Sequence, residues 1–154
     1  MRKEKLSFDE LSIERCEKET DELIKKESVS FLKELLGYLN SHKNEYIFLE
    51  ADWFDAIRID GLTLEKDDVF GNYDAMFGLK LQKKYRKEME AFLDRTLQGE
   101  KSYDLLFNGE DGLWDVNISI NDLPSYKEDM SLRDAIENIY VYLLELIEET
   151  AEKK

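Results

Sequence analysis

The chain has 154 residues, of which 42% are hydrophobic, and this length is sufficient for one domain with its own core. No apolar run approaches the ~20 residues of a membrane-spanning helix. The 36 acidic residues outnumber the 22 basic ones and give a net charge of −14, so we expect a single domain over residues 1–154 with no nucleic-acid or membrane partner.

The negative charge is concentrated in two segments. Residues 45–78 contain nine acidic and two basic residues, and residues 102–129 contain seven acidic and one basic residue. Clustered charge of one sign speeds the encounter with a protein of the opposite sign. The alternative is that the excess acid only keeps the protein in solution.

Two helices are predicted before residue 45. Ser7 and Glu10 have the spacing of a capping box, and the apolar residues after them lie loosely on one side of a helix that extends to about Lys26. A firmer stripe at helical spacing predicts the second helix and consists of Phe31, Leu32, Leu35, Leu36 and Leu39.

Short strands and one long helix are predicted next. Residues 46–49 are apolar throughout, and residues 57–59 and 62–64 alternate, so we expect two or three antiparallel strands here. Residues 73–97 carry apolar side chains at helical spacing and end before Gly99. This pattern predicts the longest helix of the chain.

The segment 101–122 predicts a β-hairpin around a turn at residues 108–112, which contains two glycines. In the second arm, large apolar residues alternate with short polar ones, the apolar set being Trp114, Val116, Ile118 and Ile120 and the polar set Asp115, Asn117, Ser119 and Asn121. We expect the apolar set to be buried and Asn117 and Ser119 to remain in contact with water, because successive strand residues face opposite sides.

The last predicted helix covers residues 132–149, with Ser131 and Asp134 at capping positions. Its apolar residues are too many for a narrow stripe. Two explanations stay open: the helix is packed on two sides within the chain, or it forms a homodimer.

The predicted order is therefore ααββ(β)αββα. Strands that are grouped in hairpins and separated by helices indicate an α+β fold. We expect an antiparallel sheet of four to five strands with helices packed on one face.

Catalytic residues are scarce. His42 is the only histidine and Cys16 the only cysteine, and nothing in their spacing brings them together. No phosphate-binding glycine loop or zinc-ligand spacing occurs, so we predict no catalytic residue, metal or cofactor. Carboxylates alone can still catalyse hydrolysis or bind metals, which keeps a carboxylate- or metal-dependent hydrolase as an alternative.

Two groups of residues are candidates for binding a partner. Asp52, Trp53 and Asp55 combine a large aromatic side chain with flanking carboxylates, which suits an interface anchor. The alternative is that Trp53 and Phe54 turn inward and cover the edge of the core. The second group, Asp115, Asn117 and Ser119, forms a flat surface rich in hydrogen-bond acceptors, onto which a basic protein could dock.

These features favour a small acidic binding protein that neutralises or escorts a basic partner, either a toxin or a secreted effector. In size, charge and α+β composition the chain resembles the small acidic immunity proteins that bacteria pair with toxins. Its predicted order of elements is similar to that of the dimeric type III secretion chaperones, apart from an extra N-terminal helix. A single cysteine and the lack of an apolar segment after Met1–Lys5 predict a cytoplasmic protein.

Overall fold

The computed structural model describes residues 8–99 and 103–151. A seven-stranded antiparallel sheet lies at its centre, with strands β1 (Ser12–Glu17), β2 (Leu23–Glu27), β3 (Glu45–Glu50), β4 (Leu62–Lys66), β5 (Tyr73–Leu79), β6 (Tyr103–Asn108) and β7 (Leu113–Ser119). The strand order across the sheet is β2-β1-β3-β4-β5-β7-β6. The α-helices are α1 (Tyr38–Ser41), α2 (Arg86–Thr96) and α3 (Leu132–Thr150), and short 3₁₀ helices cover Phe8–Glu10, Val29–Lys33, Asp52–Ile57, Lys83–Tyr85 and Ile120–Asp122.

The predicted sheet of four to five strands is wrong, and so is the order ααββ(β)αββα. The predicted N-terminal helix is in fact the hairpin β1–β2, while Ser7 of the predicted capping box lies outside the described residues. In β1, Ile13 is buried on one face and Cys16 on the other, and the pairing with β2 shifts register between Arg15 and Cys16. Burial on both faces and the bulge disrupt the simple alternation by which a strand is recognised.

The predicted helix over residues 73–97 is also wrong in its first half, and it is not the longest described helix, since α2 has 11 residues and α3 has 19. Residues 73–79 form β5, and the helix α2 begins only at Arg86. Tyr73, Ala75, Phe77 and Leu79 do alternate as a strand requires. Met76 lies on the opposite face and completes an apparent helical spacing with Tyr73 and Phe77, so the period was misassigned.

Smaller corrections concern the segments between these elements. The stripe over residues 31–39 forms a 3₁₀ turn followed by the four-residue α1, with Leu35 exposed. The predicted strand at 57–59 is the end of the 3₁₀ helix Asp52–Ile57, followed by a single bridge between Ile59 and Leu79.

The α+β class, the C-terminal hairpin and the last helix are confirmed. In β7 the side chains of Trp114, Val116 and Ile118 are buried and that of Asp115 is exposed. The Ser131 hydroxyl accepts a hydrogen bond from the Asp134 amide at 3.0 Å and so caps α3.

The helices lie on one face of the sheet, which we call the covered face. Its strand residues, among them Ile47, Leu64, Ala75 and Ile118, are fully buried beneath α2, α3 and the shorter helices. The broad apolar surface of α3 is used within the chain, since Tyr140 and Tyr142 are both buried. The surplus of apolar residues that suggested a homodimer is thus accounted for by packing on two sides.

We call the other side the open face. It presents the alternate strand residues, including Phe48, Thr63, Glu65, Asp74, Met76, Asp104, Leu106, Asp115, Asn117 and Ser119. Apart from Ser119, these residues are half-buried or exposed, whereas the strand residues of the covered face are mostly buried. Within residues 8–99 and 103–151, no helix has the length and apolar character needed to cross a membrane.

Candidate functional site

The open face brings together carboxylates from several strands. Glu65, Asp74, Asp104 and Asp115 come from β4, β5, β6 and β7 in turn. Cross-strand pairing places Asp74 opposite Ser119 and Asp104 opposite Asn117, so that three adjacent strands present acceptor groups side by side. These residues are up to 50 positions apart in the chain, and only the strand order makes them neighbours.

A recess on this face, which we call the acidic pocket, has a volume of about 380 Å³ and is lined by Asp67, Phe70, Asn72, Asp74, Tyr103, Asp104, Asn117 and Ser119. The β4–β5 loop supplies one wall. The Asp67 carboxylate accepts hydrogen bonds from the amides of Val69, at 3.1 Å, and Phe70, at 3.0 Å. These bonds hold the loop while the Phe70 side chain remains 78% exposed at the edge of the pocket.

The two carboxylates contributed by β5 and β6, Asp74 and Asp104, form no ion pair among the described residues, whereas Glu65 beside them is paired with Lys18. Burial, together with Asp67 and Glu65, raises the pKa of Asp74 to about 6. Burial also raises the pKa of Glu65, and Asp68 and Asp67 add to this effect, while Lys18 opposes it. Lys18 lies 3.9 Å from Glu65 and 3.6 Å from Asp68, whereas no described lysine or arginine forms an ion pair with Asp74 or Asp104.

Ser119 differs from what the sequence predicted. It was expected to remain in contact with water, but it is only 2% exposed, and its Oγ has no hydrogen-bond partner in the described structure. Asp74 on β5 lies opposite Ser119, and Asp104 on β6 lies opposite Asn117, the preceding open-face residue of β7; all four line the acidic pocket. A buried hydroxyl without a partner is energetically unfavourable, and such groups are uncommon in folded proteins.

Beside the acidic pocket lies a shallower recess that we call the apolar groove, of about 440 Å³, whose side chains include Phe48, Thr63, Met76 and Leu106. Two glycines keep it open. A Cβ at Gly61 would lie 2.9 Å from the Phe48 ring, and a Cβ at Gly78 would lie 2.6 Å from the Asp60 carboxylate. Asp60 in turn accepts a hydrogen bond from the Gly78 amide at 2.9 Å, which fixes this carboxylate at the rim of the groove.

The structure separates the two groups of predicted binding residues. Asp115, Asn117 and Ser119 belong to the open face. Asp52, Trp53 and Asp55 lie in the 3₁₀ helix Asp52–Ile57, which packs against α3 on the covered side. The carboxylates of Asp52 and Asp55 are exposed, and the two groups do not form one surface.

Trp53 makes mainly internal contacts. Its ring meets those of Phe8, Phe54 and Tyr140 edge-on, with centroid distances of 6.0, 4.8 and 5.5 Å. Phe54 is buried beneath it. This arrangement agrees with the alternative in which both aromatic residues cover the edge of the core. A role of Trp53 in partner binding stays a prediction.

Sequence reasoning missed six of the eight residues that line the acidic pocket, namely Asp67, Phe70, Asn72, Asp74, Tyr103 and Asp104. No binding residue was predicted between residues 65 and 72, and Asp74 was assigned to a helix. The available signal was the alternation of Tyr73, Ala75 and Phe77, which would have placed Asp74 and Met76 together on the opposite face.

The single histidine and the single cysteine lie away from the acidic pocket. Cys16 is buried, and the His42 ring stacks on Tyr38 and shares a 2.9 Å hydrogen bond with the Tyr38 carbonyl oxygen. Among the described residues, no three His, Cys, Asp or Glu side chains are arranged to hold a metal ion. The open face presents hydrogen-bond acceptors beside an apolar contact surface.

Comparisons of the chain with protein-family models, curated proteins and solved structures find no match.

Proposed function

We propose that this protein binds a basic protein partner through the open face of its sheet, and that it neutralises or escorts this partner in the cytoplasm, in the manner of an immunity protein or antitoxin. The observation that carries the proposal is the convergence of carboxylates from four adjacent strands on the face of the sheet whose residues are mostly half-buried or exposed. The partner would be a toxin or a secreted effector with a complementary basic surface.

The chemistry of the open face supports this proposal. The carboxylates of Asp74 and Asp104, which form no ion pair among the described residues, attract a basic protein over a distance and can pair with its lysines and arginines once it docks. The apolar groove beside them supplies contact area for the centre of an interface, where apolar groups contribute most of the affinity. Its rim carries Asp60, Asp104 and Asp115, which matches the polar rim of typical protein interfaces.

The two alternative functions have less support. The order of elements that resembled the secretion chaperones is not the order of the folded chain, and the apolar surplus of α3 is buried. A hydrolase would need a carboxylate pair or metal site around a substrate cleft. The acidic pocket contains Asp67, Asp74 and Asp104, but no three His, Cys, Asp or Glu side chains among the described residues are placed to hold a metal ion.

The proposal is tested with a partner that is co-purified from the source cells, identified and then produced pure. Association is measured by stopped flow at increasing salt for two matched variants. Asp104→Lys/Asp115→Lys reverses two charges on the open face, and Asp52→Lys/Asp55→Lys reverses two exposed charges on the covered side. We expect the open-face pair to slow association about tenfold at low salt, and the other pair to slow it much less.

The controls are the urea midpoints of both variants, which we expect to be close to that of the parent because exposed charges contribute little to stability. Equal effects of the two variants would assign the attraction to total charge alone. An association rate that does not depend on salt, or a larger effect of Asp52→Lys/Asp55→Lys, would remove the open face from the mechanism.

A further inference from the structure

We propose that the acidic pocket receives the guanidinium group of an arginine side chain of the basic partner. This inference rests on the proposed function and specifies which group of the partner the open face recognises. It is based on the shape of the pocket, on the acceptors that line it and on the buried hydroxyl at Ser119.

The acceptors of the acidic pocket match a guanidinium group in number and arrangement. Asp74 and Asp104 come from two strands that flank β7, and between them β7 contributes Asn117 and Ser119. Guanidinium carries five N–H donors in a planar fork, whereas a lysine ammonium carries three donors at one point. Acceptors distributed around a recess therefore suit arginine better than lysine.

Ser119 is an observation independent of the acidic residues. Its Oγ lacks a hydrogen-bond partner although the residue is 98% buried, being 2% exposed. By strand alternation its side chain lies on the open face, opposite Asp74, and the residue lines the acidic pocket. A ligand that donates a hydrogen bond to this oxygen would relieve the unfavourable state of the hydroxyl.

Phe70 gives the pocket an aromatic wall. The ring is largely exposed and belongs to a loop that is held by the Asp67 carboxylate. A guanidinium group stacks favourably on an aromatic face, and a fixed loop loses little conformational freedom when it does so. Packing within the chain does not explain why the Phe70 ring is exposed, and stacking on the bound guanidinium group gives it a role.

The volume of about 380 Å³ accommodates a single side chain and falls in the range of small-ligand sites. The apolar groove begins at Asp104 and Asn117, which line both recesses. A partner segment that places its arginine in the acidic pocket would thus have its neighbouring residues over Met76 and Leu106.

The test is a titration of the full ¹⁵N-labelled chain with N-acetyl-arginine amide. Binding is monitored through the amide chemical shifts in NMR spectra. Matched probes are N-acetyl-citrulline amide, which has the same shape without the charge, and N-acetyl-lysine amide. We expect saturable shifts at Asp74, Asn117 and Ser119 with a dissociation constant on the order of 1 mM for the arginine probe. Both other probes should bind at least about fivefold more weakly.

Two variants with the same charge change separate the pocket from the rest of the open face. Asp74→Asn alters the acidic pocket, and Asp115→Asn alters the face outside it. We expect Asp74→Asn to weaken arginine binding about tenfold and Asp115→Asn less than twofold. Ser119→Ala should weaken it about fivefold without lowering the urea midpoint, because the parent hydroxyl has no internal hydrogen bond to lose and its burial is unfavourable.

The pH dependence adds a further readout. The groups that face Asp74 are Glu65 on β4, Asp67 in the loop, Asp104 on β6 and Lys18 in the β1–β2 turn. Arginine affinity should rise between pH 5 and 7 as Asp74 ionises, since the pKa of Asp74 is about 6. In Asp74→Asn this rise should be largely lost.

Equal binding of the citrulline or lysine probe, or shifts spread evenly over the open face, would overturn the inference. If the arginine probe does not bind while Asp104→Lys/Asp115→Lys still slows the partner, the inference fails and the proposed function stands. If the probe saturates the pocket but the partner associates with the open-face variants as fast as with the parent, the proposed function fails. The assignment of the arginine to that partner then fails with it. Support requires both pocket binding and about tenfold faster partner dissociation from Asp74→Asn.

Discussion

Carboxylates on the two faces of this sheet differ in whether they are paired with a cation. On the covered face, Glu45 is buried and pairs with Arg15 at 3.2 Å, and Arg15 also binds Glu27 at 2.7 Å. The Tyr38 hydroxyl donates a further hydrogen bond to Glu45 at 2.8 Å. On the open face, Asp74 and Asp104 have no such cation among the described residues.

This difference distinguishes carboxylates that stabilise the fold from carboxylates whose presence the stability of the fold does not explain. Internal pairing satisfies the covered carboxylates, so their role is complete within the fold. The open-face carboxylates repel one another, and the pKa of Asp74 is raised as a result of burial and this repulsion. Residues that lower stability and are nevertheless present are candidates for function, because stability and activity commonly compete at binding sites.

The largest change in the free energy of unfolding is expected when a buried apolar residue of β7 is truncated. Ile118→Ala, at a site only 1% exposed on the covered face, should lower the free energy of unfolding by about 4 kcal/mol, since it leaves a cavity in the core. Leu106→Ala, on the open face and 64% exposed, should change it by less than about 0.5 kcal/mol. Urea unfolding of both variants checks this, and equal midpoints would contradict the assignment of the two faces.

A smaller loss is expected when the covered carboxylates lose their cation. Arg15→Met keeps much of the apolar stem but leaves Glu27 and Glu45 without their partner, and should destabilise the protein by about 3 kcal/mol. Adding Glu45→Gln removes the more deeply buried charge and should restore part of this loss. A double mutant that is no more stable than Arg15→Met would show that the pair is not coupled.

The smallest expected change in the free energy of unfolding is an increase, and it concerns Asp74 on the open face. The pKa of Asp74 is raised to about 6, so the folded state holds a proton that the unfolded state has already released. Stability is therefore greatest below the unfolded pKa and falls as pH rises through the window up to about 6.

Asp74→Asn removes this loss and should raise the free energy of unfolding at pH 7 by about 1 kcal/mol, a value reduced because the half-buried group is partly screened. At pH 4 we expect little difference from the parent. Urea unfolding at both pH values measures the effect, with the exposed Asp52→Asn as control. A destabilised Asp74→Asn at pH 7 would show that the carboxylate serves the fold.

Much of the C-terminal half could be predicted because its pattern is simple. In β7 one face is fully apolar and the other is polar, and α3 begins at a serine cap, so local periodicity leaves one interpretation. Within the site, the same alternation placed Asp115, Asn117 and Ser119 on one face. It could not show that Ser119 is buried, because neighbouring strands supply the side chains that cover it.

The remaining elements depended on contacts that are distant in the chain. Residues 12–17 and 73–79 bear apolar side chains on both faces of the sheet, so that their spacing is compatible with a helix, and pairing with β3, β4 and β7 decides in favour of strands. The sequence by itself determined the charge, the α+β class, the hairpin and the last helix, because these follow from composition and short-range periodicity. Only the tertiary structure decided the seven-strand order, and with it the acidic pocket, since residues as distant as Asp67, Asp74, Asp104 and Ser119 become neighbours through strand pairing alone.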